Sequence, residues 1–419
     1  MVSTLHIRRR EGHVNPLEEG MIAVLDVGSA KTRMLVAELH EGSLRYRGHG
    51  VAPSGGMRRG VIAELKPATE SIAQAMVAAE AASQTVIEQC IAGIGGPHIR
   101  GINSQGGIAL GSRMREITRE DVRAAADRAR AISLPSDREV LHLLPRHFLL
   151  DEVPGIHDPV GMVGHQLEVS LHLATCSASA HQSLVTCANK AGIEVSETVY
   201  EPLAAAESSL STDERELGSC LIDIGAGSTE LIVYFEGAVA YSTAIPLGGD
   251  HFTNDLAVGM HLGTAEAETL KREFGHAVVT SVSQDSEIAW EPDETGSARG
   301  SIRQRAIAEI LEPRARELFS LIRDSLRTGA VLEALGAGCV LTGGGARLNG
   351  LCDTAESILR VPTRIGSPVP LSRMPGELQA PEYSTLVGLM LYAHRTGTLR
   401  AQQDGTLRAK LRAMFAGSI

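Results

Sequence analysis

A chain of 419 residues has material for roughly two to four domain-sized units. Its 43% hydrophobic and 21% charged content is that of an ordinary globular protein. The formal net charge of −11 argues against a nucleic-acid partner, which calls for a basic field, and no apolar run approaches the length of a membrane span or signal region.

Residues 1–19, with Arg8, Arg9 and Arg10 and no periodicity, read as a flexible leader. The apolar run 22–25 then delivers Asp26 into Val27-Gly28-Ser29-Ala30-Lys31, and a second run, 34–37, leaves the turn. This is the grammar of a second turn further on, where Gly225 and Gly227 can take backbone angles that let successive N–H groups face one concavity, which suits phosphate oxygens. A carboxylate at the rim suits a hydrated magnesium ion. An amphipathic helix is expected over 67–88, with Ile72, Met76, Val77 and Ala81 on one face.

A separate unit is expected from about 88 to 173. Segments 91–96 and 107–110 read as strands, and Thr118-Arg119-Glu120-Asp121 resembles a capping box opening a helix. Further strands are expected at 139–144, 147–150 and 167–173. His98, His142, His147, His157, His165 and His172 fall here without H-x-x-x-H or H-E-x-x-H spacing, and read as structural. The six cysteines, Cys90, Cys176, Cys187, Cys220, Cys339 and Cys352, form no C-x-x-C pair and read as buried free thiols of a reducing compartment. No G-x-S-x-G elbow supports a hydrolase triad.

A short helix over 184–191 and a strand over 194–200 precede Glu201-Pro202, where Pro202 fits the first turn of an Ala-rich helix. Glu201 is there either as an ordinary charge–dipole contact or as a catalytic carboxylate. The strand–turn–strand grammar recurs at 220–234: Asp223 enters Ile224-Gly225-Ala226-Gly227-Ser228-Thr229. Two such turns, too far apart for a short solenoid repeat, fit two related halves facing a shared ligand. Helices are expected over 251–258 and 264–274, the second carrying Glu268 and Lys271 at i,i+3. That pair is either a surface salt bridge or a grip on ribose and base. Segment 281–300 reads as a loop, and 305–326 as a helix kinked or broken at Pro313. A strand–turn–helix at 339–350 contains Gly343, Gly344 and Gly345, which let a flat ligand approach the backbone; no Walker Lys-Ser/Thr follows.

In order, these segments resemble the first phosphate, first connecting, second phosphate and adenosine segments of the actin-like ATPase superfamily, and 385–391 resembles its second connecting helix. A narrower resemblance, over about residues 20–395, is to the bacterial cell-division FtsA family. It rests on Gly95-Gly96-Pro97-His98, Arg115-Glu116-Ile117-Thr118-Arg119-Glu120-Asp121-Val122, His142-Leu143-Leu144-Pro145, Asp158-Pro159-Val160-Gly161-Met162, Gly248-Gly249-Asp250-His251-Phe252 and Ile310-Leu311-Glu312-Pro313-Arg314.

The resemblance implies an α/β, two-lobed actin-like ATPase fold with two ribonuclease-H-like cores and an FtsA-type inserted subdomain. The expected first core is 20–87 with 174–217, the insert 88–173, and the second core 218–250 with 336–395. A helical subdomain at 251–335 is expected on the nucleotide side. Also implied are ATP and Mg2+: Asp26 and Asp223 hold magnesium through water, Gly28, Ser29, Lys31, Gly225, Gly227 and Ser228 surround phosphate, and Gly343, Gly344 and Gly345 flank adenosine. Glu268 and Lys271 would reach ribose or base, and Glu201 would orient the attacking water, with at most weak ATPase activity. The function implied is self-assembly into filaments, tethering of FtsZ filaments to the inner face of the cytoplasmic membrane at the division site, and recruitment of later divisome proteins.

After a short linker at 396–404, the stretch 405–419 places Leu407, Leu411, Met414 and Phe415 on one helical face beside Arg408, Lys410 and Arg412. This is the pattern of an interfacial helix drawn to anionic lipid, or of a helix docked on its own body. Its linker is shorter than is typical of the family, and the tail contains no Trp. Two other functions compete: a pilus-assembly (PilM-like) actin-fold adaptor, and an actin-fold small-molecule kinase. No segment offers the kinase its Asp base at a sugar cleft.

Overall fold

The computed structural model describes residues 20–290 and 300–397; the leader, part of the 281–300 stretch, and the linker and tail from 398 onward lie outside the described residues. Two five-stranded sheets share one topology. In the first the order is Ser43–Pro53, Lys31–His40, Met21–Val27, Gln89–Ile94, Glu194–Tyr200. In the second it is Ala238–Ile245, Thr229–Phe235, Ser219–Ile224, Gly338–Thr342, Thr363–Ile365. In each, the first three strands are antiparallel neighbours and the last two join in parallel. Every residue of Met21–Val27 is buried, as expected of a central strand covered on both faces.

Two helices occupy the space between the halves. Glu201–Ser209 follows the first sheet, and Ser384–Thr396 closes the described chain. They cross so closely that a Cβ on Gly388 would stand 1.8 Å from the Ala204 carbonyl oxygen. Only glycine permits that approach. One apolar cluster runs from the first sheet across both helices onto Leu221, Ile232 and Val340 of the second sheet, so the lobes share a spine. The second sheet's other face buries Ile222, Leu231 and Leu341 against helices Gly249–Met260, Thr264–Phe274, Gln304–Thr328 and Leu351–Leu359.

The insert has its own core. Its sheet runs Val153–Ile156, Arg138–Leu150, Gln166–Ser177, Arg100–Ala109, and helix Arg119–Arg130 lays Val122, Ala125 and Ala129 against it. The capping box is present: the Asp121 N–H donates to Thr118 Oγ1, and the Asp121 carboxylate accepts from the Thr118 N–H. Arg115 forks the same carboxylate at 2.7 and 2.6 Å. Arg314 likewise forks Asp255, fastening Gln304–Thr328 to Gly249–Met260.

Several elements differ from expectation. Segment 91–96 lies mostly in Gln89–Ile94, a strand of the first core rather than of the insert, because a short apolar run carries no sign of which sheet it joins. The two strands expected at 139–150 are one, Arg138–Leu150; Pro145 sits opposite Leu171 at a register shift, where a missing N–H is tolerated. Gln304–Thr328 runs unbroken through Pro313, held by its buried stripe of Ile307, Leu311, Ala315, Leu318 and Ile322. The first helix is Leu65–Ser83, the helix before Gly192 begins at Ala178, and Glu287–Trp290, within the expected loop, pairs with Gly300–Arg303 at its end. All six cysteines are free and all but Cys352 are buried. His142 accepts from the Tyr200 N–H, and His172 bonds Asn103 and Ser242.

Candidate functional site

The hairpins that end at the two Asp-Gly turns face each other across a cleft of about 1480 Å3 between the lobes. In both turns the glycine N–H closes on a carbonyl three residues on, Gly28 to Lys31 at 3.1 Å and Gly225 to Ser228 at 2.9 Å. The second turn is braced further, because the Gly249 and Asp250 N–H groups donate to the Gly225 and Ala226 carbonyls. Every nucleotide-site residue expected from the sequence lies among the described residues and lines this cleft. Asp26, Gly28, Ser29 and Lys31 come from the first turn, and Asp223, Gly225, Gly227 and Ser228 from the second. Glu201 stands at the start of its helix, and Glu268, Lys271, Gly343, Gly344 and Gly345 form the far wall. The membrane-tail residues, from Leu407 to Phe415, lie outside the described residues.

Strand register explains the charge at the centre. Asp26 pairs with Arg33 across the first hairpin, and the arginine reaches its carboxylate at 3.4 Å. The equivalent pair in the second hairpin is Asp223 with Glu230, two carboxylates directly opposite. Glu201 joins them from the connecting helix. Burial, opposed by the Thr385 hydroxyl at 3.0 Å, pushes Asp223 up to about 6. Burial and then the Asp223 charge push Glu230 up to about 8. Glu201 is raised well above the carboxylate range by burial, then by Glu230, Asp26 and Asp223. Asp26 is raised by burial despite Arg33.

Glu230 was not singled out in the sequence as a site residue, although it closes the stretch that carries Asp223. Hairpin register was the signal: a turn centred between Asp223 and Glu230 makes them partners. Gly95 was missed in this role too. A Cβ there would stand 2.3 Å from Glu201 Oε2 and 2.5 Å from Glu230 Oε1, so glycine alone lets the backbone reach between the two carboxylates. The Gly96 N–H donates to Glu230 Oε1, while Glu230 Oε2 is buried without a partner. A Cβ on Gly343 would meet Asp223 Oδ1 at 2.2 Å.

On the far wall the Glu268–Lys271 ion pair forms and is part of a larger knot. The Lys271 ammonium also donates to the Gly249 carbonyl at 3.0 Å and to Thr253 Oγ1 at 2.7 Å. Its protons are thus committed to pinning helix Thr264–Phe274, and Glu268, 41% exposed, is the freer of the two toward the cleft.

These residues fit a magnesium nucleotide. A buried, unpartnered carboxylate oxygen and a cluster of acids that cannot all ionise together suit a divalent cation. The glycine turns offer close backbone approach for phosphate.

A pH dependence follows. Raised carboxylates bind more protons folded than unfolded, so the ligand-free protein should lose stability as pH rises toward 8. His98, His142 and His172, lowered to about 4 chiefly by burial, act oppositely, but only below about pH 6.5. Above pH 7 the decline therefore belongs chiefly to Glu230. Thermal melts at pH 7 and 8 should show a falling Tm without nucleotide and a smaller fall with Mg2+-ATP; a flat ligand-free profile would show that this acid is not protonated.

Comparison with known proteins agrees with the geometry. The family described as "Cell division protein FtsA" matches residues 220–388, and "SHS2 domain inserted in FTSA" matches residues 96–175. The cell division protein FtsA of Pseudomonas aeruginosa is 36% identical over 386 residues, covering 92% of this chain and 91% of its own. A solved PilM-PilN type IV pilus biogenesis complex superposes with TM-score 0.63 at 19% identity, over 90% of this chain and 98% of that one. MreB5 of Spiroplasma citri bound to AMPPNP superposes with TM-score 0.55 at 15% identity, over 93% and 100%. The two structural likenesses establish an actin-like ATPase fold. The insert, the paired sheets and the extended sequence identity together place the chain in the FtsA family of cell-division proteins.

Proposed function

We propose that this cell-division protein binds Mg2+-ATP between its lobes, assembles into filaments, and tethers FtsZ filaments to the cytoplasmic membrane, where it recruits later divisome proteins. The observation that carries the nucleotide part is the convergence of Asp26, Asp223, Glu201 and Glu230 on glycine turns from both halves. Asp26 and Asp223 would hold the magnesium through water. The backbone and hydroxyls of Gly28, Ser29, Gly225, Gly227 and Ser228 would receive phosphate, with Lys31 at the mouth of the cleft. Glu268 would take ribose, and Gly343 to Gly345 would lie against the adenosine. Bound magnesium supplies charge that screens the phosphates.

Glu201 would orient and deprotonate the attacking water. The low-polarity surroundings and the neighbouring acids Glu230, Asp26 and Asp223 oppose its ionisation, and a nearby cation would favour the ionised form that acts as a base. Hydrolysis is thereby conditional on a filled site, which fits a weak ATPase whose main output is assembly.

Family membership supports the FtsZ and divisome roles, and the tail's pattern supports the membrane one. Leu407, Leu411, Met414 and Phe415 would enter the lipid interface while Arg408, Lys410 and Arg412 meet anionic headgroups. Among the described residues no helix is long and apolar enough to cross a membrane. Co-sedimentation with anionic vesicles, FtsZ and ATP tests this reading. The full chain should pellet with FtsZ, and Leu411→Asp with Phe415→Asp should leave both in the supernatant. FtsZ pelleting with the doubly substituted chain would move the anchor elsewhere, and failure of the full chain to bring FtsZ down would refute the tether.

A further inference from the structure

Where the insert meets the first core, three side chains converge that the nucleotide cleft does not use. Glu139 and Cys176 are directly opposite each other on strands Arg138–Leu150 and Gln166–Ser177, and Cys176 Sγ lies 3.7 Å from Glu139 Oε1. His181, in the first turn of helix Ala178–Ala191, brings Nδ1 into hydrogen-bond contact with the same Glu139 oxygen. One ligand atom from each of the three falls within 4.8 Å of the others. On the far side of the ring, His181 Nε2 lies 3.1 Å from Thr198 Oγ1 of strand Glu194–Tyr200.

We propose that Glu139, Cys176 and His181 form a binding site for a borderline-soft divalent metal, of the Zn2+ class, that pins the insert to the first core. The donor set of one thiolate, one imidazole and one carboxylate is the one such ions select. For tetrahedral coordination with ordinary bond lengths, the sulfur and oxygen ligands stand about 3.5 Å apart, close to the 3.7 Å found. The imidazole and carboxylate, now in direct contact, would part to about 3.3 Å as the metal replaces the proton between them. Thr198 supplies what a ligating histidine requires on its other nitrogen, an oxygen that accepts Nε2–H and leaves Nδ1 free to bind. Cys176 is fully buried, whereas Glu139 is 42% and His181 27% exposed, which gives the ion a path from solvent and leaves a fourth position for water.

The site has a mechanical consequence. Glu139 belongs to the insert, His181 and Thr198 to the core, and Cys176 stands one residue before the end of the strand that returns between them. A metal here adds a crosslink across that junction, between Glu139 and His181, which stand 42 positions apart along the chain.

Full-length protein stripped with a chelator and titrated with Co2+ tests the proposal. Thiolate-to-cobalt charge-transfer absorption should appear at about one equivalent per chain and be displaced by Zn2+. Cobalt held by the oxygen ligands of the nucleotide cleft gives no such band, so the two sites are distinguished. Cys176→Ser should abolish the band, Cys90→Ser should retain it, and Thr198→Val should weaken Co2+ affinity about ten- to a hundredfold. Should Cys176→Ser fail to fold, Glu139→Gln and Thr198→Val, at half-buried positions, carry the test. No band in the wild type, or a band of unchanged affinity in Glu139→Gln and Thr198→Val, would overturn the site.

Discussion

Asp223→Ala should yield a folded protein that has lost Mg2+-ATP. Removing this carboxylate takes one negative charge out of a cluster with Glu230 directly opposite and Asp26 and Glu201 close by. The ligand-free protein therefore loses little stability: relief of repulsion offsets the Thr385 hydroxyl's lost acceptor, a hydrogen bond worth about 1 kcal/mol. Nucleotide affinity, by contrast, should fall at least about a hundredfold, or ~2.7 kcal/mol, because the site would lose one of the two carboxylates proposed to hold magnesium through water. Melting with and without Mg2+-ATP reads both effects together. The wild type should gain Tm on adding ligand, and the variant should start from a similar Tm and gain almost nothing. Polymerisation should disappear with the shift. An equal ligand-induced shift in the variant would remove Asp223 from the magnesium site.

Glu201→Gln separates binding from turnover. The amide keeps the size of the side chain at the start of its helix and cannot accept a proton from water. Removal of an acid whose ionisation is opposed by desolvation and by Glu230 should also raise ligand-free stability slightly at neutral pH. ATP binding should persist or tighten. Phosphate release should fall by about a hundredfold or more, the usual contribution of a positioned base. Filaments formed with ATP should then outlast those of the wild type. Unaltered phosphate release would return Glu201 to its plain role, a charge favouring a helix start.

The frame of the fold was legible because the central strands are almost wholly buried and read as continuous apolar runs ending in Asp and Gly. Met21–Val27 and Ser219–Ile224 announce themselves this way, and the two hairpins that follow them mirror each other. Assignment of strands to sheets was less legible. Gln89–Ile94 is as apolar as any insert strand, and only long-range parallel pairing with Met21–Val27 places it in the first core. Pro313 misled because local backbone chemistry argued for a break, whereas the buried stripe on both sides of it holds one helix.

At the site, residues inside glycine turns were readable and residues brought in by register or packing were not. Glu230 lies one strand-length from its partner and carries no motif of its own. Gly95 stands on a different element from the two carboxylates it accommodates. The cluster of Glu139, Cys176 and His181 was invisible for the same reason: its members reach one point from two strands and a helix, with no ligand spacing in the sequence.

This cleft should bind a nucleotide together with its divalent cation. Isothermal titration of the full chain with ATP, in Mg2+ and then in excess chelator, tests it most directly. One site per chain is expected in Mg2+, with affinity at least about tenfold weaker without it, since crowded carboxylates then repel the phosphates. Absence of binding under both conditions, or affinity indifferent to Mg2+, would contradict the account.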